Sequence, residues 1–165
     1  MSSRGAHFAL TPDQERRLLA VTGDDDDVLE VVQEEIESKW DTEWLCETDK
    51  AWDAIHRCLT DGRLLLDNGQ PPLSLCILGG RQLYGRDDYF VSYVPHPQAA
   101  AVADAIEAFS RDRFDAAWSR LGSTDYSGSG DDDDREYTWA YLEELKPFWR
   151  KAATAGRSVI FTVDQ

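Results

Sequence analysis

The chain is poor in several residue types, with one methionine, three cysteines, three histidines and six prolines among 165 residues. Each scarcity closes off a class of protein. Cys46, Cys58 and Cys76 are too few, and odd in number, for a disulfide framework. They form no CxxC pair, and their spacings to one another and to His56 are long and irregular for zinc. They read as thiols serving as small hydrophobes. No apolar run approaches the roughly 18–20 residues of a membrane-spanning helix. The opening MSSRGAHFAL has no long apolar stretch of the secretory kind, so the expected location is the cytoplasm. HExxH, GxGxxG and GxxxxGKS/T are all missing. SGSG at 127–130 reads as a flexible spacer and not as a nucleophile elbow. No cofactor or metal is expected.

Positive charge is the other shortage. Lys and Arg total 17 against 32 Asp and Glu, a net charge of -15 at pH 7. Such a surface repels nucleic-acid phosphates and anionic membranes. It could steer a basic protein partner, or serve solubility alone and reflect composition drift, which the excess of Arg over Lys fits as well. Two runs, Asp24–Asp27 and Asp131–Asp134, concentrate much of the acidity. The second lacks the alternating ligands and central glycine of a calcium loop. The first precedes a helical pattern, where carboxylates complement the exposed amides and the dipole.

Apolar residues make up 42% of the chain and aromatic residues 11%, with six Trp, enough to build a core in one domain spanning 1–165. GAHFAL at 5–10 suits a first strand. Thr11 and Gln14 have capping-box spacing, and Pro12 suits the first helical position. Residues 28–40 read as a second helix, and 40–48 as a connection. A third helix over 50–60, capped by Thr48 or Asp49, would bury Ala51, Trp52, Ile55, Cys58 and Leu59. Lys50, Asp53, Arg57 and Thr60 would lie opposite, with His56 at the boundary. The apolar run Leu73–Leu78 reads as a central strand covered on both faces. Residues 81–88 read as an exposed loop or hairpin, and Tyr89–Val94 as a strand.

Pro95 and Pro97 open a fourth helix, and Phe114, Trp118 and Leu121 mark a fifth. Residues 122–135 read as a mobile acidic loop. A final helix over 136–155 contains Pro147, expected to kink or split it. A closing strand follows at 158–163. The sum is an α/β (α+β) chain in which five to six helices pack on a small mixed sheet of about four strands.

Two groupings could carry chemistry. Asp49, Trp52, Asp53 and His56 occupy adjacent stripes of one helix. A histidine beside two carboxylates is the start of an acid–base pair, although no third ligand or nucleophile is evident. Arg81 and Tyr84 follow the Gly79-Gly80 turn, where a guanidinium and a phenol could meet a small anion. The expected function is a binding protein with an acidic surface that meets a basic partner. The alternative is a small-ligand enzyme or hydrolase using His56 with Asp49 or Asp53 near that turn.

GAHFALTPDQ, DKAWDAIHRCLTDG, PLSLCILGG and FWRKAATAGRSVIFTV, in that order, resemble the YfbM-like family, a bacterial family built on a domain of unknown function. The resemblance spans nearly the whole chain and implies a compact α/β fold. It brings no active site with it.

Overall fold

The computed structural model describes residues 3–165. Five strands, β1 (Gly5–Ala9), β2 (Leu45–Asp49), β3 (Arg81–Gln82), β4 (Tyr89–Val94) and β5 (Val159–Asp164), form one sheet in the order β2-β1-β5-β4-β3. Every neighbouring pair is antiparallel. The sheet therefore has one strand more than expected and is not mixed. Six α-helices accompany it among the described residues: α1 (Pro12–Ala20), α2 (Asp25–Glu30), α3 (Trp52–Leu59), α4 (His96–Glu107), α5 (Arg111–Trp118) and α6 (Asp132–Thr154).

Strand alternation divides the core between the two faces. Ala6, Phe8, Val91 and Ile160 join Leu18 and Val28, from α1 and α2, in one cluster. Ala9, Val94, Val159, Phe161 and Val163 join residues of α3 to α6 in the other. Both faces are covered, which explains why the inner strands are apolar at nearly every position.

Local signals act where they were expected. The Thr11 side chain accepts from the Gln14 backbone N–H at 3.1 Å, and Gln14 returns a 2.9 Å bond to the Thr11 N–H. Replacing Thr11 with Ala should cost about 1 kcal/mol in urea unfolding, through the loss of this cap. At the end of α6, Arg157 N–H bonds Ala152 C=O at 2.9 Å and Gly156 N–H bonds Ala153 C=O at 3.1 Å, with Gly156 at φ +67°. That pair of bonds is the glycine-terminated C-cap that opens the way into β5.

Leu73–Leu78 is not a strand. It winds through a 3₁₀ turn at Leu73–Leu75, and Gly79 N–H closes back onto Ser74 C=O at 2.9 Å. A short apolar run has no period, so burial alone cannot distinguish a strand from buried turns. Backbone carbonyls left without ladder partners need other donors. His7 Nε2 supplies Cys76 C=O at 2.6 Å, and Gln82 Nε2 supplies Leu78 C=O at 2.7 Å. A Cβ added at Gly79 would sit 2.1 Å from the Ser74 carbonyl oxygen. Gly79→Ala should therefore cost about 3 kcal/mol and lower the melting temperature clearly. Gly122→Ala, where a Cβ meets nothing within 4 Å, should leave it nearly unchanged.

Three further expectations need correction. Residues 45–48, read as part of the connection over 40–48, belong with Asp49 to edge strand β2. Residues 131–135, read as part of a loop, are the cap and first turn of α6, with Asp131 accepting from Asp134 N–H at 2.8 Å. α6 runs through Pro147 as one helix, with Pro147 and Glu143 both on the exposed face, where water can serve the Glu143 carbonyl that lacks its helical donor.

Candidate functional site

The six residues singled out from sequence lie in four separate places. Asp49 ends β2 and has φ 47°, the left-handed conformation that Asp tolerates better than most residues. This turn diverts the chain from the sheet into α3, and Thr48 C=O secures it by accepting from Ala51 N–H at 2.8 Å. α3 therefore starts at Trp52 with no side-chain cap, later than Thr48 or Asp49 would have set it. The Asp49 carboxylate instead accepts from Tyr137 Oη at 2.6 Å and pairs with Arg4 at 3.2 Å.

Trp52 is buried, its indole N–H donating to Ser3 C=O at 3.0 Å. Asp53 binds Arg57 at 2.6 Å and makes no hydrogen bond to His56. With Lys50, Tyr126, Asp134 and Tyr137 they line a cleft of about 470 Å³ between α3, the 122–130 loop and the start of α6.

His56 is 1% exposed. Its Nε2 lies 2.7 Å from Leu65 C=O and 3.1 Å from Asn68 Oδ1. Both partners are acceptors, so Nε2 carries the proton. Nδ1 has no hydrogen-bond partner among the described residues. Asn68 in turn donates to Asp61 at 2.6 Å and Arg63 C=O at 2.8 Å. Burial lowers the His56 pKa against the opposing pull of Asn68, Leu65 and Asp53. The ring is a strut that folds the 60–68 turn onto α3, and it lines none of the clefts described here.

Arg81 and Tyr84 sit at the far edge of the sheet. Arg81 is exposed on β3. Tyr84 is buried, donates to Asp88 at 2.9 Å and carries Arg86 over its ring. The glycine amides that might have cradled an anion are already bonded. Gly79 N–H binds Ser74 C=O, and Gly80 N–H binds Ser92 Oγ at 3.0 Å.

Two features escaped the sequence reading. Arg57, placed opposite the buried arc, is 4% exposed. It holds Asp53, Asp125 at 2.7 Å and Gly62 C=O at 3.2 Å, under the Tyr126 ring at 5.6 Å. Burial alone would lower its pKa, but its hydrogen bonds to Asp125 and Asp53 more than offset this and raise it. The second is a groove of about 570 Å³ along the outer edge of β2, lined by Arg4, Thr42, Leu45, Cys46, Glu47, Asp49, Tyr141 and Glu144. Burial, then the charges of Glu144 and Glu47, push the Cys46 thiol up to about 12. Burial, then Asp49, Glu144 and Glu47, raise the Tyr141 phenol, with Arg4 opposing. Three carboxylates thus converge on one open groove whose lining holds a single cation.

The acidic runs have local tasks. Asp24 caps α2, and Asp25 binds Gly85 N–H at 2.9 Å while Asp26 pairs with Arg86. Asp134 accepts from Tyr126 Oη at 2.8 Å and Gly130 N–H at 3.0 Å. No group of three or more His, Cys, Asp or Glu side chains among the described residues is placed to hold a metal ion. No helix among them is long and apolar enough to cross a membrane.

A sheet covered on both faces, with candidate residues dispersed around it, defines an α/β domain without an established activity. The chain belongs to the family described as Domain of unknown function (DUF1877), whose model matches residues 1–162. Among solved structures it is similar to YfbM from Escherichia coli, a protein of unknown function, at 19% identity and a TM-score of 0.68, covering 99% of each chain. No curated protein matches it.

Proposed function

We propose that this domain is a binding module that meets a basic protein partner through the acidic groove between β2 and α6. The observation that carries this reading is the convergence of Glu47, Asp49 and Glu144 on that groove, with Arg4 as the one cation in its lining. Carboxylates clustered around a half-sheltered aromatic attract lysine and arginine, whose methylene stems can lie on the ring while their charges meet the acids. The Asp runs are weaker candidates for the contact, because Asp24, Asp25, Asp131 and Asp134 already cap helices or bind backbone amides.

The alternative, an enzyme using His56 with Asp49 or Asp53, has less support. His56 is buried with its proton committed to Leu65, Asp53 is committed to Arg57, and Asp49 to Tyr137 and Arg4.

The reading is tested by affinity capture from native lysate at low and at moderate salt, using the native chain and the Glu47→Lys/Glu144→Lys double variant. The expected result is a basic protein retained by the native chain, weakened by salt and lost in the variant. Capture that survives charge reversal, or no capture at low salt, would overturn it.

A further inference from the structure

We infer that the open edge of β2 accepts an extended lysine- or arginine-bearing segment of the partner as a sixth strand. This rests on the acidic-module reading and adds to it how the partner is held. The sheet order leaves β2 and β3 as its two edges. β3 has two residues and β2 has five, so β2 is the edge long enough to template another strand.

The register fixes which groups are on offer. Ala9 N–H bonds Trp44 C=O at 2.9 Å, and His7 stands opposite Cys46 in the same phase. Ladder bonds alternate along an antiparallel strand. Trp44 C=O and the Cys46 backbone groups therefore face β1, Trp44 N–H being bonded to Asp41 C=O, while Leu45 and Glu47 turn their backbone groups outward. Among the described residues, the contact made to those outward groups is a long one of 3.9 Å from Cys46 Sγ to Glu47 C=O. A register irregularity then admits Thr48 as an extra residue, and the chain leaves the sheet at Asp49. Leu45 to Glu47 is thus a short, defined ladder segment.

Charge selects the occupant. An unpaired edge invites any strand, and natural edges use charges to exclude the wrong ones. Glu47, Asp49 and Glu144 beside this edge disfavour a second copy of β2, which would bring Glu47 near Glu47. Glu144 favours a strand carrying cations on the side facing α6, where Tyr141 offers a ring surface, and Glu47, in phase with Leu45 and opposite Ala6, favours a cation on the other face. Backbone bonding would supply affinity and the carboxylates specificity.

The test uses the full chain, isotopically labelled, and three short synthetic peptides. One alternates lysine and valine. The second is the same peptide with alternate backbone nitrogens methylated on the ladder-facing positions. The third replaces lysine with glutamate. The first peptide should slow amide exchange at Leu45 and Glu47 at least about tenfold and bind at least about tenfold more tightly than the methylated one, because methylation deletes the ladder donors while keeping charge. The glutamate peptide should not bind. Glu47→Pro, which removes an outward N–H on an edge strand, should reduce the first peptide to the affinity of the methylated one. Equal, salt-sensitive binding of the methylated and unmethylated lysine peptides would overturn strand addition while leaving the acidic-module reading intact. No binding of either lysine peptide at low salt would overturn both.

Discussion

Between pH 6.5 and pH 4, unfolding in urea should reveal a loss of about 3 kcal/mol of stability originating at His7. The ring is fully buried on β1, tilted against Phe161 at 4.8 Å and edge-on to Phe148 and Trp149. Its Nε2 proton is given to Cys76 C=O, and Nδ1 has no partner among the described residues. Burial lowers its pKa from 6.5 to about 4, with the Cys76 bond opposing. Above pH 6.5 the imidazole is neutral in both the folded and the unfolded chain, and its contribution is fully present. As pH falls below 6.5 the unfolded chain binds a proton that the folded chain refuses, so stability declines until the folded ring protonates near pH 4. Each pKa unit is worth about 1.4 kcal/mol, which gives the stated figure.

His56 shifts in the same direction and adds to the decline. The carboxylates held low by arginine partners, such as Glu35 beside Arg17 and Glu107 beside Arg150, lose their contribution only in a more acidic range. His7→Gln keeps a donor for Cys76 but cannot titrate, so its stability profile over this window should flatten to the His56 share. An unchanged slope in that variant would contradict the assignment.

The second large effect is expected at Arg57. Arg57→Met keeps an apolar stem but removes the guanidinium that joins Asp53, Asp125 and Gly62 C=O. The cost should be about 3 kcal/mol, because charge-assisted bonds to a buried cation are lost together. The loss should be localised as well as global. Asp125 is the point at which the 122–130 loop is tied to α3, and its carboxylate is held below the usual range by Arg57. Limited proteolysis should therefore cut the Ser127–Gly130 segment faster in the variant. Asp125→Ala should destabilise far less than Arg57→Met, since its side chain is 84% exposed and water can replace it. Similar losses in the two variants would place the whole effect in the Arg57–Asp125 pair, and an unchanged cleavage rate in Arg57→Met would contradict the tethering of the loop.

The sequence was most legible where a signal acts over a few residues. The Thr11–Gln14 cap, the Gly156 stop, the buried arc of α3 and the β4 and β5 strands all depend on local periodicity or backbone chemistry. Leu73–Leu78 failed because burial without a period fits turns as well as strands, and its hydrogen-bond donors come from His7 and Gln82 elsewhere in the chain. β2 escaped notice because an edge strand carries polar residues outward and shows no clean alternation. Arg57 looked solvated because its second carboxylate, Asp125, lies 68 positions away in sequence. The Asp49–His56 grouping assumed one helical face. Asp49 lies before the helix in a left-handed turn, and His56 faces inward, so proximity on a helical wheel did not become a shared site. The groove on β2 joins residues from the N-terminal arm, the edge strand and α6, a combination set by sheet order and not by spacing.

The most direct test of the account is chemical-shift mapping of the isotopically labelled chain with a short oligolysine at low salt. The largest shifts should fall on Leu45–Asp49 and around Tyr141 and Glu144, shrink as salt is raised, and vanish in the Glu47→Lys/Glu144→Lys variant. Shifts centred on Asp24–Asp27 or Asp131–Asp134, with β2 unmoved, would contradict it.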